Sequence, residues 1–268
     1  MRQRLRLASS TIPILVLASD LGAQRGEVTA QRAGQANAAG ARTARIEARA
    51  GSLRITGRDG LTEVRASGTA RASSRSLLEQ IRLTVERRGE VAYVVVETPE
   101  LRGSWSDDDD EHASLDLVVE VPKALALDVE DRSGELEIRG VGPLDLVDNS
   151  GDATIEGVGG RLRVRDGSGE LRIRDVRGDV TLEDGSGGIH LNTIRGSVTV
   201  ERDGSGELEA DDVTGSIRID SKGSGSVDVA HVGGDFVVSR KGTGSIEHRD
   251  VKGRVDVPER DRRGRRRW

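Results

Sequence analysis

Ser168-Gly169-Glu170-Leu171-Arg172-Ile173, followed by Val176-Arg177-Gly178-Asp179-Val180-Thr181-Leu182, is one of seven near-copies of the same unit. Its opening Ser/Thr-Gly pair recurs at Ser133, Ser150, Ser168, Ser186, Ser205, Ser224 and Thr243, with spacings of 17, 18, 18, 19, 19 and 19 residues. Each pair opens a short strand that alternates apolar and polar residues, as in Gly134-Glu135-Leu136-Glu137-Ile138. Each is followed by a Val-x-Gly-x-Val-x-Val element, clearest again at Val213-Thr214-Gly215-Ser216-Ile217-Arg218-Ile219. Regular recurrence at this period is the mark of a repeat architecture.

The length of the unit dictates its shape. Eighteen or nineteen residues hold two strands and two tight turns at about 3.3 Å rise per residue. That is one coil of a flattened two-sided solenoid, each coil hydrogen-bonding to the next about 4.8 Å away. Alternation sets the inward side chains. One ladder is Leu136, Ala153, Leu171, Ile189, Leu208, Val227 and Ile246, and a second is Ile138, Ile155, Ile173, Leu191, Ala210, Val229 and His248. The opposite wall receives Leu144, Leu162, Val180, Val198, Ile217, Phe236 and Val255. Glu137, Thr154, Arg172, His190, Glu209, Asp228 and Glu247 point outward as a polar face of mixed sign. The corner glycines supply positive φ. An antiparallel meander competes, because the half-repeat is hairpin-sized. The solenoid is preferred because the period belongs to the pair of strands. The fold class expected is therefore all-β: a β-solenoid of about seven 17–19-residue, two-strand coils over residues 131–257, preceded by a β-rich part over residues 43–130.

Working outward, residues 43–130 also alternate. Short strands are expected at Arg45–Arg49, Ser52–Thr56 and Leu61–Ala66, one helical turn at Ser74–Gln80, and a hairpin of Ile81–Arg87 with Val91–Glu97. Residues 24–42, rich in Gly, Ala, Gln and Arg, read as a flexible linker. Residues 1–23 read as a secretory signal. Arg2, Arg4 and Arg6 form its basic start, Leu7–Leu21 is mostly apolar, and Leu21-Gly22-Ala23 offers a small residue for cleavage. The expected location is accordingly the periplasm, the outer surface or the medium.

Composition narrows the function. Aromatic residues make up 1% of the chain, so the interior must be filled by stacked aliphatics. With no cysteine, there is no disulfide framework, no thiolate metal site and no lipoprotein anchor. The formal charge of −5 divides unevenly: residues 1–23 carry +2 and residues 260–268 carry +5, leaving −12 for the body. An acidic body repels phosphate polymers, so nucleic acid is not the expected partner.

The early Gly51-Ser52-Leu53-Arg54-Ile55-Thr56-Gly57 with Val64-Arg65-Ala66, the strand ending in Val121-Pro122, and the Ser-Gly-Glu/Asp turns from Ser133 carry a family resemblance. Over Ile46 to Val257 the chain resembles the bacterial "putative adhesin" family of unknown-function, adhesin-head-like β-repeat domains. The resemblance implies a right-handed β-helix-like fold, export to the envelope and an adhesive or binding role. It supplies no catalytic residue.

Candidate chemistry is sparse. Asp166-Gly167-Ser168-Gly169, Asp184-Gly185-Ser186-Gly187 and Asp203-Gly204-Ser205-Gly206 resemble calcium-binding β-roll turns, but here the aspartate precedes the glycines. Lys222 and Lys241 occupy the equivalent place later, where they would repel a cation. The expected role of these aspartates is to fix tight turns. The acidic run 107–111 reads as solvated, and His112, His190, His231 and His248 lack ligand spacing. No nucleophile elbow occurs, and short uniform coils leave no room for groove-building loops, so the chain is not expected to be an enzyme and no cofactor is expected. The partner expected is a surface, a glycan or an envelope protein. The tail residues Arg262, Arg263, Arg265, Arg266, Arg267 and Trp268 are candidate contacts to an anionic partner.

Overall fold

The computed structural model describes residues 27–101 and 111–258. The proposed signal, most of the acidic run and the Arg/Trp tail lie outside the described residues.

Two sheets face each other. In the first, Leu136–Arg139, Ala153–Val158, Leu171–Val176, Ile189–Ile194, Leu208–Val213, Val227–Val232 and Ile246–Val251 pair in parallel and in register. In the second, Leu144–Asp148, Leu162–Ser168, Val180–Ser186, Val198–Ser205, Ile217–Ile219, Phe236–Val238 and Val255–Asp256 do the same. This is the expected solenoid of about seven coils. The meander is excluded, because every neighbouring pair within the repeats is parallel.

The predicted inward ladders are buried, from Leu136 through Val227 on one wall and from Leu144 through Phe236 on the other. The far end is open, as a terminal coil must be. Ile246, Val251 and Val255 are half-buried, and His248 is exposed with its ring centroid 6.2 Å from that of Phe236.

The change of period from 18 to 19 residues has a local cause. Leu182 pairs with Val200 but Glu183 pairs with Arg202, so Glu201 is an added residue accommodated as a bulge. Asp184 and Asp203 thereby stay in register.

Two kinds of corner turn the chain. One is the glycine of each Ser/Thr-Gly pair, from Gly134 (φ 134°) to Gly244 (φ 127°). The other closes each strand of the first sheet with a left-handed residue: Gly140, Gly157, Asp175, Thr193, Asp212, His231 and Asp250. Aspartate tolerates that region better than most residues. The kink turns the following residue inward, so Val141, Val158, Val176, Ile194, Val213 and Val232 form a further buried ladder.

The stack does not begin at residue 131. Leu53–Arg58 pairs in parallel with Leu136–Arg139, and Thr43–Glu47 pairs in parallel with Ala126–Asp131, adding a coil in front of the repeats. Val91–Glu97 and Ala113–Pro122 add another, placed beyond it although later in sequence. Residues 43–130 and 131–257 therefore share both sheets and one continuous core.

The linker expected over residues 24–42 is corrected by the structure. Val28–Asn37 is a ten-residue strand, antiparallel to Glu63–Ala72, which in turn pairs antiparallel with Ala113–Pro122. Small alternating residues suit an edge strand, whose backbone pairing does not need large side chains. On the second sheet the hairpin partner Arg82–Arg88 ends the stack in the same way. Antiparallel strands at this end stop further parallel stacking.

Candidate binding groove and the internal acid ladder

The outer face of the first sheet is built from two rows one pleat apart. Thr154, Arg172, His190, Glu209 and Asp228 form one, and Glu156, Arg174, Asn192, Asp211, Ala230 and Arg249 the other. The second row shortens from Asn192 to Ala230 between two arginines. This leaves a depression of about 420 Å³, bordered by Arg172, Arg174, His190, Asp228 and Arg249.

The groove's polar groups are tied together. His190 Nδ1 lies 3.0 Å from Glu209 Oε2 and its Nε2 lies 3.2 Å from Glu170 Oε1. His231 Nδ1 is 2.6 Å from Asp211 Oδ1, and Arg249 donates to Asp228 at 3.3 Å. Exposed pairs of this kind add about 0–1 kcal/mol each to stability, so their main effect is to orient the row. A face of this composition can accept hydroxyl or amide groups at its carboxylates and donate from its arginines. It carries no exposed aromatic plate.

His190 stands at the outward position expected from sequence. Among the described residues no three His, Asp or Glu side chains are arranged to hold a metal ion.

The aspartates of the three Asp-Gly-Ser-Gly turns, and Asp131 and Asp148 at the equivalent place in earlier coils, are not where a simple turn role would put them. Asp131, Asp148, Asp166, Asp184 and Asp203 are all buried, stacked in register on the inner side of the second sheet. Asp148 also fixes its turn by accepting from the Ser150 N–H at 3.2 Å. Most of the ladder's carboxylate oxygens, including both of Asp131 and both of Asp184, have no hydrogen-bond partner. Burial is the first cause of their raised pKa values. Asp131 is pushed up to about 6, Asp148 to about 7 with help from Asp131 and Asp166, and Asp184 to about 7 with help from Asp166. Asp166 and Asp203 are raised by burial too.

Lys222 continues the column, in register with Asp203. Its Nζ lies 2.8 Å from Asp203 Oδ2, with both side chains almost fully buried, while it donates its hydrogen bond to Gly206 O at 2.7 Å. Lys241, one coil further, is half-buried and donates to Gly244 O.

The ladder has a sequence signal that a turn reading passes over. Leu144, Leu146 and Asp148, like Val180, Leu182 and Asp184, fall at every second residue, so the aspartate shares the inward parity of the aliphatics.

Comparison with known proteins gives this chain a family. The sequence profile of the Toastrack DUF4097 family matches residues 43–257. The chain belongs to that family. The Toastrack chain is also similar to three solved structures. A "putative cell adhesion protein" from Clostridium sporogenes is 12% identical, with 86% of this chain and 99% of that one covered and a TM-score of 0.31. A "putative adhesin" from Bacteroides fragilis is 12% identical, covering 88% and 100%, with a TM-score of 0.37. Another from Parabacteroides merdae is 13% identical, covering 85% and 96%, with a TM-score of 0.36. No curated protein matches the Toastrack chain.

Proposed function

We propose that this Toastrack protein is an exported, non-enzymatic adhesion scaffold that binds a glycan or protein surface through the outer face of its first sheet. The observation that carries the reading is the groove between Arg174 and Arg249. There, ordered rows of carboxylates and arginines stand at fixed intervals around a notch made by short side chains. The basic, then apolar, start of the chain supports export. Among the described residues no helix is long and apolar enough to cross a membrane. The uniform coils bring no long loops over the groove, which supports binding rather than catalysis.

Without aromatic anchors each contact is weak, and attachment gains its strength from many copies acting together. Cells lacking the gene are expected to attach roughly tenfold less, with attachment restored when the gene is returned. Undiminished attachment in such cells would contradict the reading. Protease treatment of intact cells is expected to remove the protein. Protection until lysis would place it in the periplasm.

A second reading rests on the contrast between the acidic body and the tail, where Arg262, Arg263, Arg265, Arg266, Arg267 and Trp268 would hold an anionic envelope partner. Deleting residues 260–268 abolishes partner capture in that case and leaves attachment through the groove unchanged in the first.

A further inference from the structure

Among the described residues Lys222 is the only buried lysine or arginine, and it sits at the end of a column of buried acids. Its Nζ approaches Asp203 Oδ2 to 2.8 Å in a setting closed to water. Asp184 follows Asp203 in register on the side away from Lys222, and both of its oxygens lack partners.

We propose that Lys222 and Asp203 condense spontaneously to an intramolecular amide that joins successive coils. One proton passed across the 2.8 Å contact converts the ion pair to a free amine and a neutral carboxylic acid. A dry interior favours that uncharged pair relative to water, because the ions have lost their solvation. Lys222 Nζ then attacks Asp203 Cγ. The new N–C bond forms, one C–O bond breaks, and the departing hydroxyl leaves as water with a proton that originates on the nitrogen. No oxidant or co-reactant is needed.

Asp184 acts from the far side of Asp203. Its neutral carboxyl donates a hydrogen bond to the Asp203 carboxyl oxygen and so polarises Cγ, while the nitrogen's proton passes directly to the departing hydroxyl within the tetrahedral adduct. Burial keeps the Asp184 carboxyl protonated up to about pH 7. The fixed register replaces the encounter that makes the same condensation negligible between free side chains.

The product fits the site better than the ion pair does. The amide N–H keeps the acceptor that Lys222 already uses, Gly206 O at 2.7 Å. Its carbonyl gives the unpartnered Asp184 a group to donate to. Two buried charges become one satisfied neutral amide, a change that a low-dielectric interior rewards.

Mass spectrometry of the folded full chain tests this. The expected mass is below that of the chain by one water, and trypsin should release peptide 203–218 joined to peptide 219–240. Lys222→Arg should remain folded and uncross-linked. Asp203→Asn should form the same amide with loss of ammonia in place of water. Asp184→Asn should fold and cross-link at least tenfold more slowly. Recovery of 203–218 unlinked and cleavage after Lys222, from folded protein incubated near pH 7, would overturn the proposal. So would an Asp184→Asn rate equal to that of the unaltered chain.

Discussion

Gly187→Ala is expected to destabilise the protein by about 4 kcal/mol or more, a size reached only when backbone or core is forced apart. A Cβ built on Gly187 would stand 1.7 Å from Gly169 O in the coil below. The same approach recurs along the column: 1.8 Å from Gly169 to Gly151 O and 1.7 Å from Gly206 to Gly187 O. Coils stack this closely because Gly169 N–H donates to Ser186 O at 3.1 Å and Gly187 N–H to Ser205 O at 2.9 Å. A methyl group must break that ladder or spread the sheet. The positive φ of 143° adds a smaller cost of about 1–2 kcal/mol. Gly40→Ala separates the two effects, since Gly40 has φ +81° with nothing within 4 Å of the added atom. Its cost should stay near the dihedral term alone. Urea unfolding of the two variants side by side measures the difference.

The second large effect is a dependence on pH that runs opposite to ordinary acid denaturation. Asp148 ionises near pH 7 when folded, because it is buried and flanked by Asp131 and Asp166. In the unfolded chain it ionises near its ordinary value of about 3.9. Below that value both states hold the proton and nothing is gained or lost. As pH rises from 4 to 7 the unfolded chain gives up a proton that the folded chain keeps. Stability falls across that window by about 1.4 kcal/mol per pH unit, or on the order of 4 kcal/mol in all for this group. Asp148→Asn removes the cost. The amide still accepts from the Ser150 N–H and donates to its carboxylate neighbours. The variant should match the unaltered protein near pH 4 and exceed it by several kcal/mol near pH 8 on this bookkeeping. Equal stabilities at pH 8 would show that Asp148 is not held in the dry column.

Much of the architecture is readable from residues alone because the repeat is strict. A wall of Leu136, Ala153, Leu171, Ile189, Leu208 and Val227 needs only the period and the alternation to be placed. The outward rows follow from the same parity, so Arg172, His190, Glu209 and Asp228 are legible as a face. That they surround a notch is not, because the depression depends on Ala230 standing between Asp211 and Arg249 in neighbouring coils.

Three features are hidden for physical reasons. Val28–Asn37 lacks large apolar residues, since an edge strand gains its place from backbone pairing with Glu63–Ala72. The coil containing Thr43–Glu47 lies between coils that come later in sequence, an order set by long-range pairing that no local pattern encodes. The acid ladder is masked because Asp two residues before a Ser-Gly pair has the chemistry of a turn. Only its parity with Leu144 and Leu146, or with Val180 and Leu182, shows that it faces inward.

The binding claim is tested most directly by filling one face at a time. Ala230→Trp occupies the notch of the first sheet, whereas Thr181→Trp adds the same bulk to the outer face of the second. Purified variants, confirmed folded by circular dichroism, are compared for their capacity to support cell attachment. The account predicts loss of attachment with Ala230→Trp and full attachment with Thr181→Trp. Full attachment with both, or loss only with Thr181→Trp, would contradict it.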